Sequence, residues 1–433
     1  MHRIIAALLA ATSCVSAAHA QSPVASAPPA RADQTTPIAV YALEDAIGAA
    51  GGSAPSVEAA EAGIHAAQAG RRIAGLRPNP TVDTMVENVV GSGPYKGFNS
   101  AETTVSFAVP IELGGKRSAR IAVADAQTRR ALLTAAITQA DVRLQVTQLY
   151  VDAVATKWRA FTARDQLSIA NDAFSAARVR VQAGRASPIE EQRADVARLN
   201  AQAGVDRAQR LADAARINLE RRLGQPIVGV LDMNALDKIP AVSYGPATTA
   251  EASGTLALAA ADADLAYADA GVRLAKSQRV PDVTLGPGLR RLEATGDTAA
   301  LFTLSIPIPV FNSGRAAVDQ ASALRSQAEA RRRVTALDIE QAITDAQAEV
   351  DNAATAARNA NGPALAAAQE AARIARIGYR EGKFGQLELL DAERTLADTR
   401  IAAIDALATY HNAKARLERL TTPAPAPAPE QGN

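Results

Sequence analysis

The sequence predicts a mainly α-helical protein with a small β part, built twice over within one chain. Three observations carry this. Ala makes up about a quarter of the 433 residues and aromatics only 3%; Ala-rich chains interspersed with Glu, Arg, Gln and Leu form long, closely packed helices. Sequence features recur about 200 residues apart. Short segments of alternating polarity separate the helical stretches in both halves.

The recurrence fixes the order of elements. Glu61, Ile64, Gly70, Ile73, Ala74 and Pro80 return as Asp262, Leu265, Gly271, Leu274, Ala275 and Pro281. Pro110, Gly115 and Lys116 return as Pro309, Gly314 and Arg315, and Gly184, Ile189, Glu190 and Ala194 as Gly382, Leu387, Glu388 and Ala392. Two equivalent supersecondary units follow. The first repeat spans 41–223 and the second 255–421, with an equatorial connector at 224–254. Each unit reads as a helix (55–77, 255–278), then a strand pair (80–89 with 101–111, 282–291 with 299–309). A very long helix (115–183, 315–381) and a return helix (187–223, 386–420) complete it.

In the first long helix Ile137, Leu144, Val151 and Trp158 are spaced by seven, with Ala140, Thr147, Val154 and Phe161 three residues after each. That is a coiled-coil seam. The strand segments alternate. Thr103, Val105, Phe107 and Val109 share one face against Glu102, Thr104 and Ser106; Val82, Thr84 and Val86 oppose Asp83, Met85 and Glu87; Phe302, Leu304 and Ile306 oppose Leu301, Thr303 and Ser305. Strands of this length with one polar face suit a membrane barrel with a wet lumen. Pro287 makes the third strand the weakest, because it removes a ladder donor. Four strands cannot close a barrel, so copies of the chain are required; the pattern itself does not set their number.

The ends read as processing and linker segments. Arg3, the apolar run Ile4 to Val15 and Ala18-His19-Ala20 form a signal peptide, residues 1–20, cleaved before Gln21. Lipidation of Cys14 is the alternative, poorly served by Ala11-Thr12-Ser13. Residues 21–40 make a flexible lead and 422–433 a Pro-rich tail. Cys14 is the single cysteine, which excludes a disulfide within the chain and a Cys-based metal site. The net charge of +1 argues against a nucleic-acid partner.

No catalytic motif is present: neither G-x-S-x-G, nor H-E-x-x-H, nor a phosphate-binding loop. His65 and His411 are isolated, and Met85 and Met233 form no thioether site, so no metal site and no cofactor are expected. The informative polar residues lie at the two helical turns. Gly184 ends one helix, and Ser187-Pro188-Ile189-Glu190 restarts the next with a capping box. Gly382 and Gly385 bracket Lys383-Phe384, and Glu388 and Asp391 lie three apart on one face. Turned inward in an oligomer, that face stacks rings of carboxylates, a device of cation-permeable constrictions; turned outward, it is a solvated acidic face.

Leu43-Glu44-Asp45-Ala46, Arg77-Pro78-Asn79-Pro80, Gly114-Gly115-Lys116-Arg117 and Ser305-Ile306-Pro307-Ile308-Pro309-Val310-Phe311 resemble the opening, strand-entry and strand-exit segments of TolC-type outer-membrane factors. The resemblance covers about residues 41–421. The run from Tyr379 to Leu396 resembles the cobalt-zinc-cadmium resistance branch of that family. Ser253-Gly254-Thr255 departs from it, standing where a Pro-containing helix start is common. The resemblance implies a homotrimer with a twelve-stranded barrel in outer-membrane lipid, four strands per chain, over a helical tunnel reaching into the periplasm. It implies a periplasmic adaptor and an inner-membrane pump of the resistance-nodulation-division type as partners, and heavy-metal cations as cargo. It implies no enzymatic activity. By the same resemblance the tips that dock the adaptor comprise Gly184, Ser187, Pro188, Gly382, Lys383, Gly385 and Leu387. Tyr379 ties the closed tip to Glu190 of the neighbouring helix pair, Glu388 and Asp391 take the acidic ring positions, and Phe384 stands where some members have a gating Arg. A drug-efflux or type I secretion channel is the alternative within the class. A periplasmic adaptor and a purely structural coiled-coil protein are the alternatives outside it, and the duplication disfavours the adaptor.

Overall fold

The computed structural model describes residues 39–239 and 251–426. The signal segment, the lead up to residue 38, residues 240–250 of the connector and the tail from residue 427 lie outside the described residues. After β1 (Val40–Tyr41) come helices α1 (Leu43–Ser53) and α2 (Pro55–Ala74) and strands β2 (Thr81–Glu87) and β3 (Glu102–Ile111). Helix α3 then runs unbroken over Lys116–Gln182, about 100 Å at 1.5 Å per residue. It is followed by α4 (Pro188–Leu223) and β4 (Val230–Leu231). The second half contains α5 (Leu256–Ser277), β5 (Val283–Leu292), β6 (Thr298–Ser305), α6 (Arg315–Asn359), α7 (Leu365–Arg380) and α8 (Gln386–Leu420).

The expected single helix over 315–381 is interrupted. Residues Ala360–Ala364 form a π turn in which Gly362 leaves helical geometry (φ −103°, ψ −107°). Pro363 supplies the reason: it has no N–H to donate, and its ring collides with the carbonyl four residues back. At the start of α5, Thr255 Oγ1 accepts from Leu258 N at 3.4 Å, so a hydroxyl cap begins the helix where a proline was the common pattern. The first residues of the C-terminal tail are tied down as well. Leu256 N donates to Thr422 O at 3.1 Å and Ala424 N to Gly254 O at 2.8 Å.

Helix α3 is central and packs on α1, α2, α4, α5 and α8. Its buried residues are wider than the expected seam. Val151 and Val154 are buried, but Ile137, Leu144 and Trp158 are only half-buried and Phe161 is exposed. Burial instead follows Val142, Val146, Tyr150 and Val154, four residues apart. Neighbours on several sides bury a broad face, and the four-residue row is one of the natural packing ridges of a helix.

The connector is pinned to this helical body by side chains that bond its backbone. β1 and β4 pair in parallel, Val40 with Val230 and Tyr41 with Leu231. The Tyr150 hydroxyl donates to Tyr41 O at 2.8 Å and accepts from Asp232 N at 3.1 Å. Trp158 Nε1 donates to Met233 O at 2.9 Å, and His411 Nε2 lies 2.9 Å from Leu236 O. His411 therefore has a structural role, with its pKa pushed down mainly by burial.

Tyr150→Phe removes both hydroxyl bonds and leaves Asp232 N and Tyr41 O only their mutual bond of 3.3 Å, which should cost about 1 kcal/mol. Urea unfolding of the detergent-solubilised protein, followed by circular dichroism, measures this. Burial pushes the Tyr150 pKa up to about 12 from 10.0. The folded state thus disfavours the phenolate, and the stability this group contributes is present below pH 10 and lost as pH rises toward 12. The stability gap between wild type and Tyr150→Phe should shrink over that window; a constant gap would place the hydroxyl in contact with water.

Candidate functional site

The four long strands form one antiparallel sheet in the order β2–β3–β5–β6. Pairings Val82–Phe107, Val105–Leu289 and Leu285–Leu304 put the large apolar side chains on one face. That face is open: Phe107 is 53% and Phe302 67% exposed, and Val82, Val86, Val105 and Leu304 are exposed with them. The opposite face carries Asp83, Glu87, Glu102, Thr104, Ser106, Arg290 and Thr303, and Thr104 is only 5% exposed. The alternation read from the sequence therefore holds, with the apolar side outward.

On the polar side β3 and β5 approach each other closely. A Cβ on Gly288 would stand 2.7 Å from Ser106 Cβ and 2.8 Å from Val105 O, whereas cross-strand Cβ atoms normally lie about 4.5–5.5 Å apart. Only glycine permits this pinch on the polar face. Pairing of β3 with β5 lapses between Ser106–Gly288 and Val109–Leu285, opposite Pro287, the position whose missing donor marked the strand as weak. The outer edges of β2 and β6 have no strand partner within the described residues.

Charged residues hold the sheet onto the helices. Arg117 Nε donates to Gly75 O at 2.6 Å, Lys116 pairs with Asp282 at 2.7 Å, and Arg120 pairs with both oxygens of Glu112. The Lys116–Asp282 contact joins the first half to the second at the base of the strands.

At the opposite end the two helical turns have one geometry. Gly184 (φ +67°) donates to Val181 O at 3.0 Å, and Arg185 N to Arg180 O at 2.8 Å. Gly382 (φ +73°) donates to Tyr379 O at 3.1 Å, and Lys383 N to Gly378 O at 2.8 Å. Both are Schellman caps, in which a left-handed residue satisfies the last helical carbonyls. The expected capping box after Gly184 is incomplete. Ser187 Oγ accepts from Ile189 N at 3.4 Å, one residue earlier than the box requires, and the Glu190 carboxylate forms no hydrogen bond or ion pair within the described residues. In the second turn the Glu388 carboxylate folds over Gly385, 2.7 Å from where a Cβ would stand, and Lys383 pairs with Glu381 at 2.6 Å. The Phe384 ring covers Gly378 so closely that any side chain there would collide with it.

Glu388 and Asp391 are exposed on α8 without an ion pair. Ile189 and Leu387, equivalent in the two repeats, are both exposed. Tyr379 does not reach Glu190 within one chain: its hydroxyl is enclosed without a partner, and the Arg180 guanidinium lies 5.3 Å over its ring. Pro188 occupies the first turn of α4.

Sequence reasoning missed the strongest polar contact near this tip. Glu393 is 2% exposed and receives both donors of Arg376, one at 2.7 Å, which joins α7 to α8. The hydrogen bond to Glu393 holds the Arg376 pKa above its ordinary value. The signal was present: Gln386, Leu389, Glu393 and Leu396 follow a 3-4-3 spacing and are all buried, and a charge at such a position requires a partner. Among the described residues no group of three or more His, Cys, Asp and Glu is placed to hold a metal. His65 is exposed on α2.

The comparisons agree on one architecture. The outer membrane efflux protein family matches residues 46–225 and 252–422. The chain is 28% identical over 379 residues to the cobalt-zinc-cadmium resistance protein CzcC of Cupriavidus metallidurans, covering 87% of this chain and 89% of that protein. It is 30% identical over 280 residues to the nickel and cobalt resistance protein CnrC of the same organism, covering 64% and 66%. Its fold superimposes on a crystal structure of CusC with a TM-score of 0.72 at 18% identity, over 89% of this chain and 93% of that one. On the outer membrane protein VceC of Vibrio cholerae the TM-score is 0.70 at 19% identity, over 88% and 96%. With two repeats matched and a strand-tipped body of long helices, the chain belongs to the TolC-type outer membrane efflux proteins, the non-catalytic channel components of tripartite efflux systems, which sit in the outer membrane and extend a tunnel into the periplasm.

Proposed function

We propose that three copies of this chain close a twelve-stranded barrel and a shared helical tunnel through which divalent heavy-metal cations leave the cell. The sheet carries the argument. Its apolar face is exposed, its charged residues share the opposite face, and both edges lack strand partners within the described residues. Exposed edges demand pairing, and an apolar outer face over a polar interior is the arrangement of an outer-membrane barrel. Pairing β2 of one chain with β6 of the next satisfies both edges at once. Four strands lie below the smallest closed barrels, and head-to-tail copies close a ring; the trimer number comes from the family.

At the periplasmic end, the exposed Ile189 and Leu387 on otherwise polar turns offer apolar contacts to an adaptor's helical hairpin. Gly184, Ser187, Pro188, Gly382, Lys383 and Gly385 shape that surface. Tyr379, whose enclosed hydroxyl lacks a partner, ties to Glu190 of a neighbouring chain in the closed tip. Glu388 and Asp391 supply two stacked carboxylate rings that admit cations. The names of CzcC and CnrC support metal cations as cargo, and the family membership supports an inner-membrane pump as the third component, which we take to be of the resistance-nodulation-division type. With no candidate metal cluster among the described residues, selection of the metal falls to the pump.

Deleting the protein should lower tolerance to Zn²⁺, Co²⁺ or Cd²⁺, measured as growth inhibition; unchanged tolerance to all three would remove the metal cargo. The tip makes a separate prediction, read as single-channel conductance in planar bilayers. Glu388→Gln with Asp391→Asn should weaken block by trivalent cations added on the tip side by roughly tenfold or more, because the anionic rings are gone. Tyr379→Phe should raise the resting conductance. Unchanged block in the double variant would put these carboxylates on the outer, solvated face.

A further inference from the structure

We propose that Arg290, held between Glu87 and Glu102, sets the ion selectivity of the channel at the loop end of the sheet, far from the helical tips. Glu87 and Glu102 are direct cross-strand partners on β2 and β3. Like charges placed opposite each other destabilise a ladder. Arg290, on β5 beside Thr104, relieves this. Its guanidinium donates to Glu102 Oε2 at 2.9 Å and to Thr104 Oγ1 at 3.0 Å, and lies 3.3 Å from Glu87 Oε2. One side chain thus spans three strands. Asn88 Nδ2 adds a bond to Glu102 Oε1 at 3.5 Å.

The location gives the cluster its consequence. Glu87, Glu102, Thr104 and Arg290 share the polar face of the sheet. The loops 88–101 and 293–297 begin immediately beyond, whereas the helices join the other ends of the strands. Two carboxylates against one guanidinium leave one negative charge per chain in this cluster. On the barrel reading, on which this inference rests, the copies arrange these charges as a ring inside the outer mouth. Fixed charge in a narrow, low-dielectric passage concentrates ions of opposite sign. Conduction also requires that binding be weak enough for release. Arg290 supplies that second condition: it cancels half of the carboxylate pair, so cations are attracted without being trapped. The glutamates supply the first.

The test uses the full-length trimer in planar bilayers, with reversal potentials under a KCl gradient and MgCl₂ added only on the loop side. Arg290→Gln should raise the K⁺/Cl⁻ permeability ratio by about threefold and make loop-side Mg²⁺ block at lower concentration. Glu87→Gln with Glu102→Gln should lower the ratio by a similar factor and abolish the Mg²⁺ effect, and Arg290→Lys should restore wild-type values. Thermal unfolding alone does not decide the matter, because a strand staple would change it too. Conducting variants with wild-type ratios would overturn the proposal and leave Arg290 as a staple. If Arg290→Gln fails to assemble, the paired glutamine variant decides the same question. Absence of conductance in both the wild type and the Tyr379→Phe variant would overturn the barrel reading instead.

Discussion

Alanine sets how close the helices lie, and most of the remaining architecture answers to that. Ala177, Ala194, Ala357 and Ala372 are fully buried, and Ala dominates the buried positions of α3. Small residues at a contact let helix axes approach toward the lower end of the 8–10 Å range. Each such contact buries little apolar area, so long helices are needed to accumulate it. The few large side chains then act as anchors. Tyr150, Trp158 and Tyr410 gather where the connector crosses the helical body. Ion pairs such as Arg159–Asp405 (2.6 Å), Arg400–Asp165 (3.2 Å) and Arg419–Asp141 (2.5 Å) stitch α3 to α8. Pairs this exposed add roughly 0–1 kcal/mol each; in a seam of near-identical small residues, they distinguish one register from its neighbours.

The sheet obeys the opposite rule. Its large apolar residues are exposed on one face, and its charged and polar residues share the other. A soluble sheet arranged this way would aggregate through its face and both edges. In the barrel proposed above, the same features become the lipid contact and the subunit joint. The two ends of the molecule thus answer to different solvents, and the Lys116–Asp282 and Arg120–Glu112 pairs mark where one gives way to the other.

The helix-rich class, the antiparallel sheet and the long first helix were legible in the sequence because each rests on local signals. Alternation at 102–109 and glycine at 184 and 382 need no knowledge of distant partners. Contacts between elements were less legible. The Arg376–Glu393 pair joins residues on two helices, and the Arg290 cluster joins three strands; neither spacing announces a bond. Gly362-Pro363 was a plain local signal that the strong flanking helical pattern overrode. The seam captured Val151 and Val154 but not Val142, Val146 and Tyr150, because periodicity measures one stripe while α3 has neighbours on several sides. What the Tyr379 hydroxyl, enclosed without a partner among the described residues, meets in the assembly is a property that a single sequence does not carry.

The π turn at Ala360–Ala364 makes the two repeats mechanically unlike. Helix α3 is a strut: 67 residues of continuous hydrogen bonding connect the sheet to the first turn. Its counterpart is a jointed rod, divided at Gly362 and Pro363 into segments of 45 and 16 residues. The lower segment is clamped to α8 by Arg376 and Glu393. A load applied at Gly184 therefore travels toward the membrane along an uninterrupted column. The same load at Gly382 meets the break at Gly362 and Pro363 first, and from there it must pass sideways into α8, on which the turn and the lower segment are packed.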